Sequence, residues 1–387
     1  MRFIPRPYQS EGINKAVDFF SNERKDHGLL IYPTGSGKSL IIANIAKELK
    51  GKTVVFQPSK EILEQNYAKF VSYGYRAGIY SASAGSKMVD DITFATIGSV
   101  ASKHHLFKSF QNILIDEAHL VNASNGMYKD FLDSISHAKV LGLTATPYRL
   151  TSTFEGSMLE WITTTSEKVF SDVLYYIDNS VLFDAGYLAP LQYSAIDAID
   201  RNMLQVNRQG NDFTADSLRF LYRKINFEKL TAKWANYLLS KRKNCLVFCS
   251  LVEEASKAMQ YIPGSVLLTG ETEKTKREKI LAAFKAGEIR CIVNVGVLVV
   301  GFDFPALESI LLARSTMSLA LYYQIIGRVM RPYTYENGSK KEGWVLDLGG
   351  NVNKFGKIET MKIIKDGRDY SIWNNGRRLT DVTFSKN

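Results

Sequence analysis

The seven residues Pro33-Thr34-Gly35-Ser36-Gly37-Lys38-Ser39 constrain this chain more than any other stretch. They follow the apolar run Gly28-Leu29-Leu30-Ile31-Tyr32, which reads as a buried strand, and precede Leu40-Ile41-Ile42-Ala43-Asn44-Ile45-Ala46, which has helical character. A strand, a glycine turn and a helix in that order let successive backbone N–H groups converge on phosphate oxygens. No side chain can block that approach, which explains Gly35 and Gly37. Lys38 then reaches the β- and γ-phosphates of a nucleoside triphosphate, and the Ser39 hydroxyl is placed to bind Mg²⁺. Tyr32 stands where the general pattern has its first glycine, so the match is to the shorter Thr-Gly-x-Gly-Lys-Ser form. Alone, a glycine-rich turn before a helix is also plain punctuation.

A second segment, Asp116-Glu117-Ala118-His119, closes the apolar run Ile113-Leu114-Ile115. The two carboxylates therefore emerge at the carboxyl end of a parallel strand, where open α/β sheets bind ligands. Adjacent strand residues point opposite ways, so the pair divides its work. Asp116 suits Mg²⁺ coordination, and Glu117 suits orienting and deprotonating the water that attacks the γ-phosphate. Without the loop at Lys38, the same pair would read as an ordinary solvated turn. Together the two segments make a nucleotide triphosphatase the leading reading.

At 387 residues the chain fits two or three domains, and 45% hydrophobic with 23% charged residues carries no signature of disorder. The longest strongly apolar stretch, 292–302, is well short of the roughly 18 residues of a membrane span. The basic N-terminus lacks the apolar core of a secretory signal, so a cytoplasmic location is expected. Cys245, Cys249 and Cys291 are too few for a disulfide framework, contain no Cys-x-x-Cys pair, and read as buried reduced thiols. The net charge of +10 suggests a polyanionic partner. Its distribution is uneven: residues 151–200 hold one basic and eight acidic residues, and 201–250 hold ten basic and three acidic. The basic stretch could line a nucleic-acid path, or be no more than a solvated face.

Apolar strands alternate with helical segments twice over, the pattern of parallel α/β sheets. Expected strands are 29–32, 53–57, 92–95, 113–115 and 140–143, then 245–249, 265–268, 289–293, 309–312 and 343–347. Residues 274–285 read as an amphipathic helix. The stretch 151–235 is read as connection, with helices near 170–182 and 227–239 and an exposed loop near Gly210. Arg328 and Arg331 would share one face if their segment is helical, and could then act as arginine fingers; a surface arginine pair is otherwise unremarkable.

The ordered set Arg6-Pro7-Tyr8-Gln9, Thr34 to Ser39, Pro58-Ser59-Lys60, Thr96-Ile97-Gly98-Ser99, Asp116 to His119, Thr144-Ala145-Thr146-Pro147, Thr269-Gly270, Gly301-Phe302-Asp303 and Gln324 to Arg331 closely resembles superfamily 2 helicases of the DEAH type. The likeness runs from residue 6 to about 350 and is strongest to RadD-like, XPB-like and phage UvsW-like DNA repair and remodelling helicases. RadD-like proteins usually continue into a Cys-rich zinc-binding tail, and this chain has no such run. The resemblance implies two tandem RecA-like domains, α/β with parallel sheets and an ATP cleft between them, at residues 1–190 and 191–350. A basic, aromatic tail would follow at 351–387.

It also implies site roles. Arg6 and Gln9 would read adenine, a Gln amide offering a donor and an acceptor together. Thr34, Gly35, Ser36, Gly37, Lys38 and Ser39 would hold the triphosphate, and Gly301 and Asp303 would approach the ribose. Gln324, Arg328 and Arg331 would reach the triphosphate and attacking water. His119, Thr144 and Thr146 would couple the nucleotide to the DNA path. Ser59, Lys60, Thr96, Ser250, Thr269 and Gly270 would contact nucleic-acid phosphates, without sequence specificity. ATP and Mg²⁺ are the expected cofactors, and single-stranded, forked or junction DNA the expected partner of a monomer. In the tail, Phe355, Tyr370, Trp373 and Phe384 could stack on bases, but packing onto domain two is favoured. The leading function is an ATP-dependent DNA helicase or translocase. A restriction-system translocase, an RNA helicase and a nucleic-acid scaffold without productive ATPase are the alternatives.

Overall fold

The computed structural model describes residues 4–23, 27–152, 156–299 and 301–385, with backbone alone at 152, 156, 384 and 385. The Phe384 side chain therefore lies outside the described residues. The chain divides into two compact units. The first holds Met1–Arg149, Glu160–Asp178 and Lys365–Tyr370; the second holds Leu150–Leu159, Asn179–Ile364 and Ser371–Asn387.

The first unit carries strands β1 (Gly28–Ile31), β2 (Lys52–Phe56), β3 (Gly78–Ser81), β4 (Ser86–Lys87), β5 (Ile92–Ala95), β6 (Phe110–Asp116) and β7 (Lys139–Thr144). The chain then runs through β8 (Tyr148–Ser152) and β9 (Gly156–Trp161), most of whose residues belong to the second unit, and returns in β10 (Asp172–Tyr176). One eight-stranded sheet takes the order β10-β1-β7-β6-β2-β5-β3-β4. Every pairing in it is parallel except β3 with β4. Leu29-Leu30-Ile31 and Ile113-Leu114-Ile115 are wholly buried, as strands covered on both faces must be. Helix α1 (Pro7–Ser21) starts with proline at its first position, and the Gln9 side chain accepts a hydrogen bond from the Arg6 N–H at 2.8 Å. Helix α2 (Lys38–Glu48) starts at Gly37, whose φ of 86° is a left-handed value that favours glycine.

The second unit carries β11 (Leu191–Ala195), β12 (Cys245–Cys249), β13 (Val266–Leu268), β14 (Cys291–Val295), β15 (Ser309–Ala313) and β16 (Gly343–Asp347). They form an all-parallel sheet in the order β11-β16-β15-β12-β14-β13. Its core packs Leu221, Tyr222, Phe227 and Leu238 against Val247, Val293, Leu311 and Leu346. All three cysteines are buried free thiols, and burial pushes the Cys249 thiol up to about 12, so it stays protonated. Further on come β17 (Lys362–Asp366), β18 (Asp369–Asn374), β19 (Arg377–Arg378) and β20 (Thr383–Ser385). They build two three-stranded sheets, β17-β18-β19 and β20-β9-β8.

Several expectations need correction. The stretch 170–182 is not one helix: Val173 to Tyr176 lie in β10, beside β1, and only Asn179–Asp184 is helical. Its aliphatic and aromatic residues suit a half-buried strand, and the run is too short to separate the two periods. The loop near Gly210 is exposed at Arg208, Gln209 and Asn211 as expected, but Gly210 itself is buried and its carbonyl accepts from the Ser157 hydroxyl. Tyr370 stacks on Trp161 at 5.8 Å within the first unit, whereas Phe355 packs beside Tyr322 in the second. The tail aromatics thus do not all cover the second domain. The helix 227–239 is present as Phe227–Lys241, and the amphipathic helix as Lys274–Ala286.

Candidate nucleotide and nucleic-acid site

Strand order decides what meets in the first unit. β1, β7 and β6 are adjacent and parallel, so the segments leaving their carboxyl ends emerge side by side: the glycine loop, Thr144 to Thr146, and Asp116 to His119. In the loop, Gly35 and Gly37 both have φ of 86°. The Tyr8 hydroxyl and Gln9 Nε2 each donate to the Ser36 carbonyl at 2.7 Å. A Cβ on Gly37 would sit 2.6 Å from Gln9 Nε2, so glycine is needed there for close approach as well as for its φ. Arg6-Pro7-Tyr8-Gln9 thereby clamps the loop from behind, a purpose its sequence did not disclose. Gln9 is 2% exposed, with both ends of its amide in protein hydrogen bonds.

The carboxylates beside the loop are electrostatically strained. Asp116 is buried and accepts from the Glu117 N–H at 3.0 Å. Burial, reinforced by the Glu117 charge and opposed by Lys38, pushes its carboxyl up to about 7. The nearby Asn66 amide works against that rise, and Asn66 Nδ2 donates to Gln57 Oε1 at 2.9 Å. Glu117 has φ of 52°, costly for a residue with a side chain. Its Oε1 lies 3.7 Å from Lys38 Nζ, while Oε2 is buried with His119 Nδ1 3.4 Å away and accepts no well-formed hydrogen bond from the described residues. Two carboxylates facing one lysine leave surplus negative charge, which a divalent cation would neutralise.

His119 turns its ring to the next strand end. Its Nδ1 lies 2.9 Å from Thr144 Oγ1 and 3.1 Å from Thr146 Oγ1, and Thr146 N donates to Thr144 Oγ1 at 3.0 Å. Burial holds the imidazole below its ordinary pKa, so the ring is neutral at pH 7. Arg149 Nε donates to the His119 carbonyl at 2.5 Å. Asn66 and Arg149 were given no role by sequence: Asn66 lies in mid-helix, and nothing local ties it to Asp116.

β2 and β5 continue the same edge and carry Ser59, Lys60 and Thr96. Ser59 caps α3 (Lys60–Ser72), accepting from Ile62 N at 3.4 Å. Lys60 pairs with Glu64 at 3.4 Å, and Thr96 Oγ1 lies 3.0 Å from the hydroxyls of both Ser81 and Ser99.

In the second unit the helix Leu319–Ile326 carries Gln324 but ends before Arg328 and Arg331. The two arginines therefore do not share a helical face, because the chain turns at Gly327. Arg328 donates to the carbonyls of Phe302 at 2.5 Å and Val299 at 2.6 Å, bracing the segment that holds Gly301 and Asp303. Nearby, Leu298 takes a φ of 63°, a strained value for a residue with a side chain. Arg331 Nε lies 3.3 Å from Asp303 Oδ1. At the carboxyl ends of β12 and β13, the Tyr222 hydroxyl donates to Ser250 Oγ at 3.4 Å, and Arg277 donates to the carbonyls of Thr269, Gly270 and Thr272.

A phosphate-type loop with an acid pair on one parallel sheet, and an arginine-bearing second parallel sheet, define a nucleotide-dependent motor ATPase class. Comparison with known proteins agrees: residues 2–149 match the family described as type III restriction enzyme, res subunit, and residues 228–333 match the helicase conserved C-terminal domain. The chain carries the paired domains of superfamily 2 helicases. It is 24% identical to a 51.5 kDa protein of a Lactococcus phage, over 86% of this chain and 68% of that one. It is 23% identical to the DNA 3'-5' translocase XPB2 of Sulfurisphaera tokodaii, over 84% and 78%. Among solved structures, a fragment assigned as the HsdR subunit of a type I restriction enzyme from Vibrio vulnificus shares the fold, with TM-score 0.67 and 21% identity over 92% of this chain and 66% of that one. The chain spans about half the length of the relatives from Saccharomyces cerevisiae and Haloarcula marismortui, at 49% and 51%. Among the described residues, no helix is long and apolar enough to cross a membrane.

Proposed function

We propose that this chain is a DNA-stimulated ATPase that converts ATP hydrolysis into movement along, or unwinding of, DNA. The observation that carries this reading is the meeting of Lys38, Asp116 and Glu117 beside a glycine loop at one sheet edge, with excess negative charge. Thr34 to Ser39 hold the triphosphate, Lys38 neutralises its terminal oxygens, and Ser39 with Asp116 would hold Mg²⁺. When bound, that ion neutralises charge on the β- and γ-phosphates and so favours loss of the γ-phosphoryl group. Glu117 orients the attacking water and takes its proton; the unfilled hydrogen-bonding capacity of Oε2 suits that task. Arg6 and Gln9 support the loop and border the base, and Gly301 and Asp303 approach the ribose. Gln324, Arg328 and Arg331 of the second unit would serve the triphosphate. For Arg331 this requires exchanging Asp303 for phosphate.

His119, bonded to Thr144 and Thr146, links that chemistry to the DNA path, which Ser59, Lys60, Thr96, Ser250, Thr269 and Gly270 line. The finer reading is remodelling of forks or junctions in repair, recombination or replication. A second reading, translocation within a restriction system, is favoured by the restriction-enzyme family match and the HsdR-like fold. The test is ATP turnover without nucleic acid and then with single-stranded DNA, duplex, a four-way junction and RNA. Strongest stimulation by branched DNA supports remodelling, while equal stimulation by plain duplex favours the restriction reading. Stimulation by RNA alone would overturn the DNA assignment.

A further inference from the structure

Beyond β16 the second unit builds a cavity of about 570 Å³ that none of the helicase motifs touches. Its lining includes Lys354, Lys357 and Arg377 together with Asn353, Thr360 and Asn375, and no carboxylate among the described residues. Three cations around one hollow, with no carboxylate in its lining, suit an oxyanion.

The wall is built rather than incidental. Asn374, 4% exposed, donates to the carbonyls of Phe355 at 2.8 Å and Lys357 at 2.9 Å and accepts from the Thr360 hydroxyl at 2.6 Å. Gly356, at φ 79°, passes so close that an added Cβ would lie 2.2 Å from Asn374 Nδ2. The pinned turn sets Lys354 and Lys357 on either side of this glycine, each also ordered by an aromatic ring: Phe355 at 5.4 Å and Tyr193 at 5.7 Å. The cations crowd one another. Burial, then the charges of Arg201 and Arg377, pull the Lys354 ammonium down to about 8, with Asp212 opposing. Nearby acids are already engaged: Asp212 pairs with Arg314 at 3.2 Å, Glu359 accepts from the Tyr193 hydroxyl at 2.7 Å, and Asp197 accepts from Asn353 at 2.8 Å.

The location points to one source of the anion. Because the second sheet is all parallel, β12, β13 and β16 end on one edge, and the cavity begins just past Asp347 on that edge. Ser250 and Thr269 follow β12 and β13 there. Basic groups bridge the interval: Arg201 is held by the carbonyls of Gly349 at 2.9 Å and Thr316 at 2.7 Å, and Arg314 stands at the end of β15.

We propose that the hollow walled by Lys354, Lys357 and Arg377 binds a backbone phosphate of the nucleic-acid strand, extending the strand's path beyond the helicase motifs onto the C-terminal segment. This rests on the DNA reading above. The shared chemistry is a phosphate oxyanion, which could also be supplied by a free phosphate compound.

The test compares the Lys357→Ala/Arg377→Ala double variant with a control of equal charge change, Lys279→Ala/Lys285→Ala. Both alter exposed side chains, and thermal unfolding checks that both fold. Fluorescence anisotropy of a labelled single strand is read across a salt series, and protection from unfolding by tripolyphosphate is read in parallel. The expected result is affinity reduced roughly tenfold in the pocket variant alone, with a salt slope shallower by about 0.7 for each phosphate no longer neutralised. Equal weakening in both variants, or none, overturns the proposal. Because the loop at Thr34 to Ser39 also takes a triphosphate, protection is compared with the control variant: weaker tripolyphosphate protection in the pocket variant alone, with unchanged DNA affinity, overturns the nucleic-acid source in favour of a free anion. If the unaltered protein fails to bind DNA at all, the functional reading falls first and this assignment with it.

Discussion

The two parallel sheets present their charged residues in opposite states. In the first unit, Asp116, Glu117 and Lys38 are crowded and poorly compensated: one carboxyl is raised to about 7, and one carboxylate oxygen accepts no well-formed hydrogen bond from the described residues. In the second, the arginines and the loop they support are engaged internally, Arg328 on two carbonyls, Arg331 on Asp303 and Arg277 on the Thr269 turn. One site is preorganised and waits for a ligand to relieve its repulsion. The other is quiet until a ligand offers its arginines something better. On the function proposed above, that asymmetry suits a first unit that takes the nucleotide before the arginines are drawn in.

Mutations should break this comparison unequally. Lys38→Ala removes the ammonium that faces Glu117, and turnover should fall by about 100-fold or more, with nucleotide affinity reduced as well; stopped-flow phosphate release and equilibrium binding would measure both. Arg331→Ala should lower turnover by at least about tenfold while leaving ATP binding to the first unit intact; an unchanged rate would mean that the second unit does not serve the site. His119→Ala cuts the link to Thr144 and Thr146, so the DNA-stimulated rate should fall several-fold more than the basal rate in a steady-state assay.

The smallest effect is on stability, and its sign is fixed. The folded-state carboxyl of Asp116 is raised above its unfolded value, so the folded protein binds more protons between about pH 4 and 7, and Asp116 lowers stability as pH rises through that window. Asp116→Asn should therefore raise the Tm of the ATP-free protein by a few degrees at pH 8 and by progressively less towards pH 5. No such gain at pH 8 would mean that the charge excess is absent.

What sequence revealed and what it hid have physical reasons. The loop at Gly35 to Ser39 and the pair Asp116-Glu117 were legible because each is a local strand-to-turn transition with residue types that little else requires. The parallel α/β class followed from buried apolar runs. The strand at Asp172–Tyr176 was missed because a five-residue run holds too few periods to distinguish strand from helix. Asn66 beside Asp116, and Gln9 on the Ser36 carbonyl, depend on contacts between distant parts of the chain. Arg328 and Arg331 would share a helical face only if their segment were helical, and the helix stops at Ile326, before either is reached.

The central claim is that Glu117 activates water in an ATP site built on the first unit. The most direct measurement follows labelled ATP bound to Glu117→Gln in the presence of single-stranded DNA. The expected result is ATP retained at near-normal affinity and recovered unhydrolysed over many turnovers of the unaltered protein. Hydrolysis at the normal rate would contradict the assignment and move the chemistry away from Asp116 and Glu117.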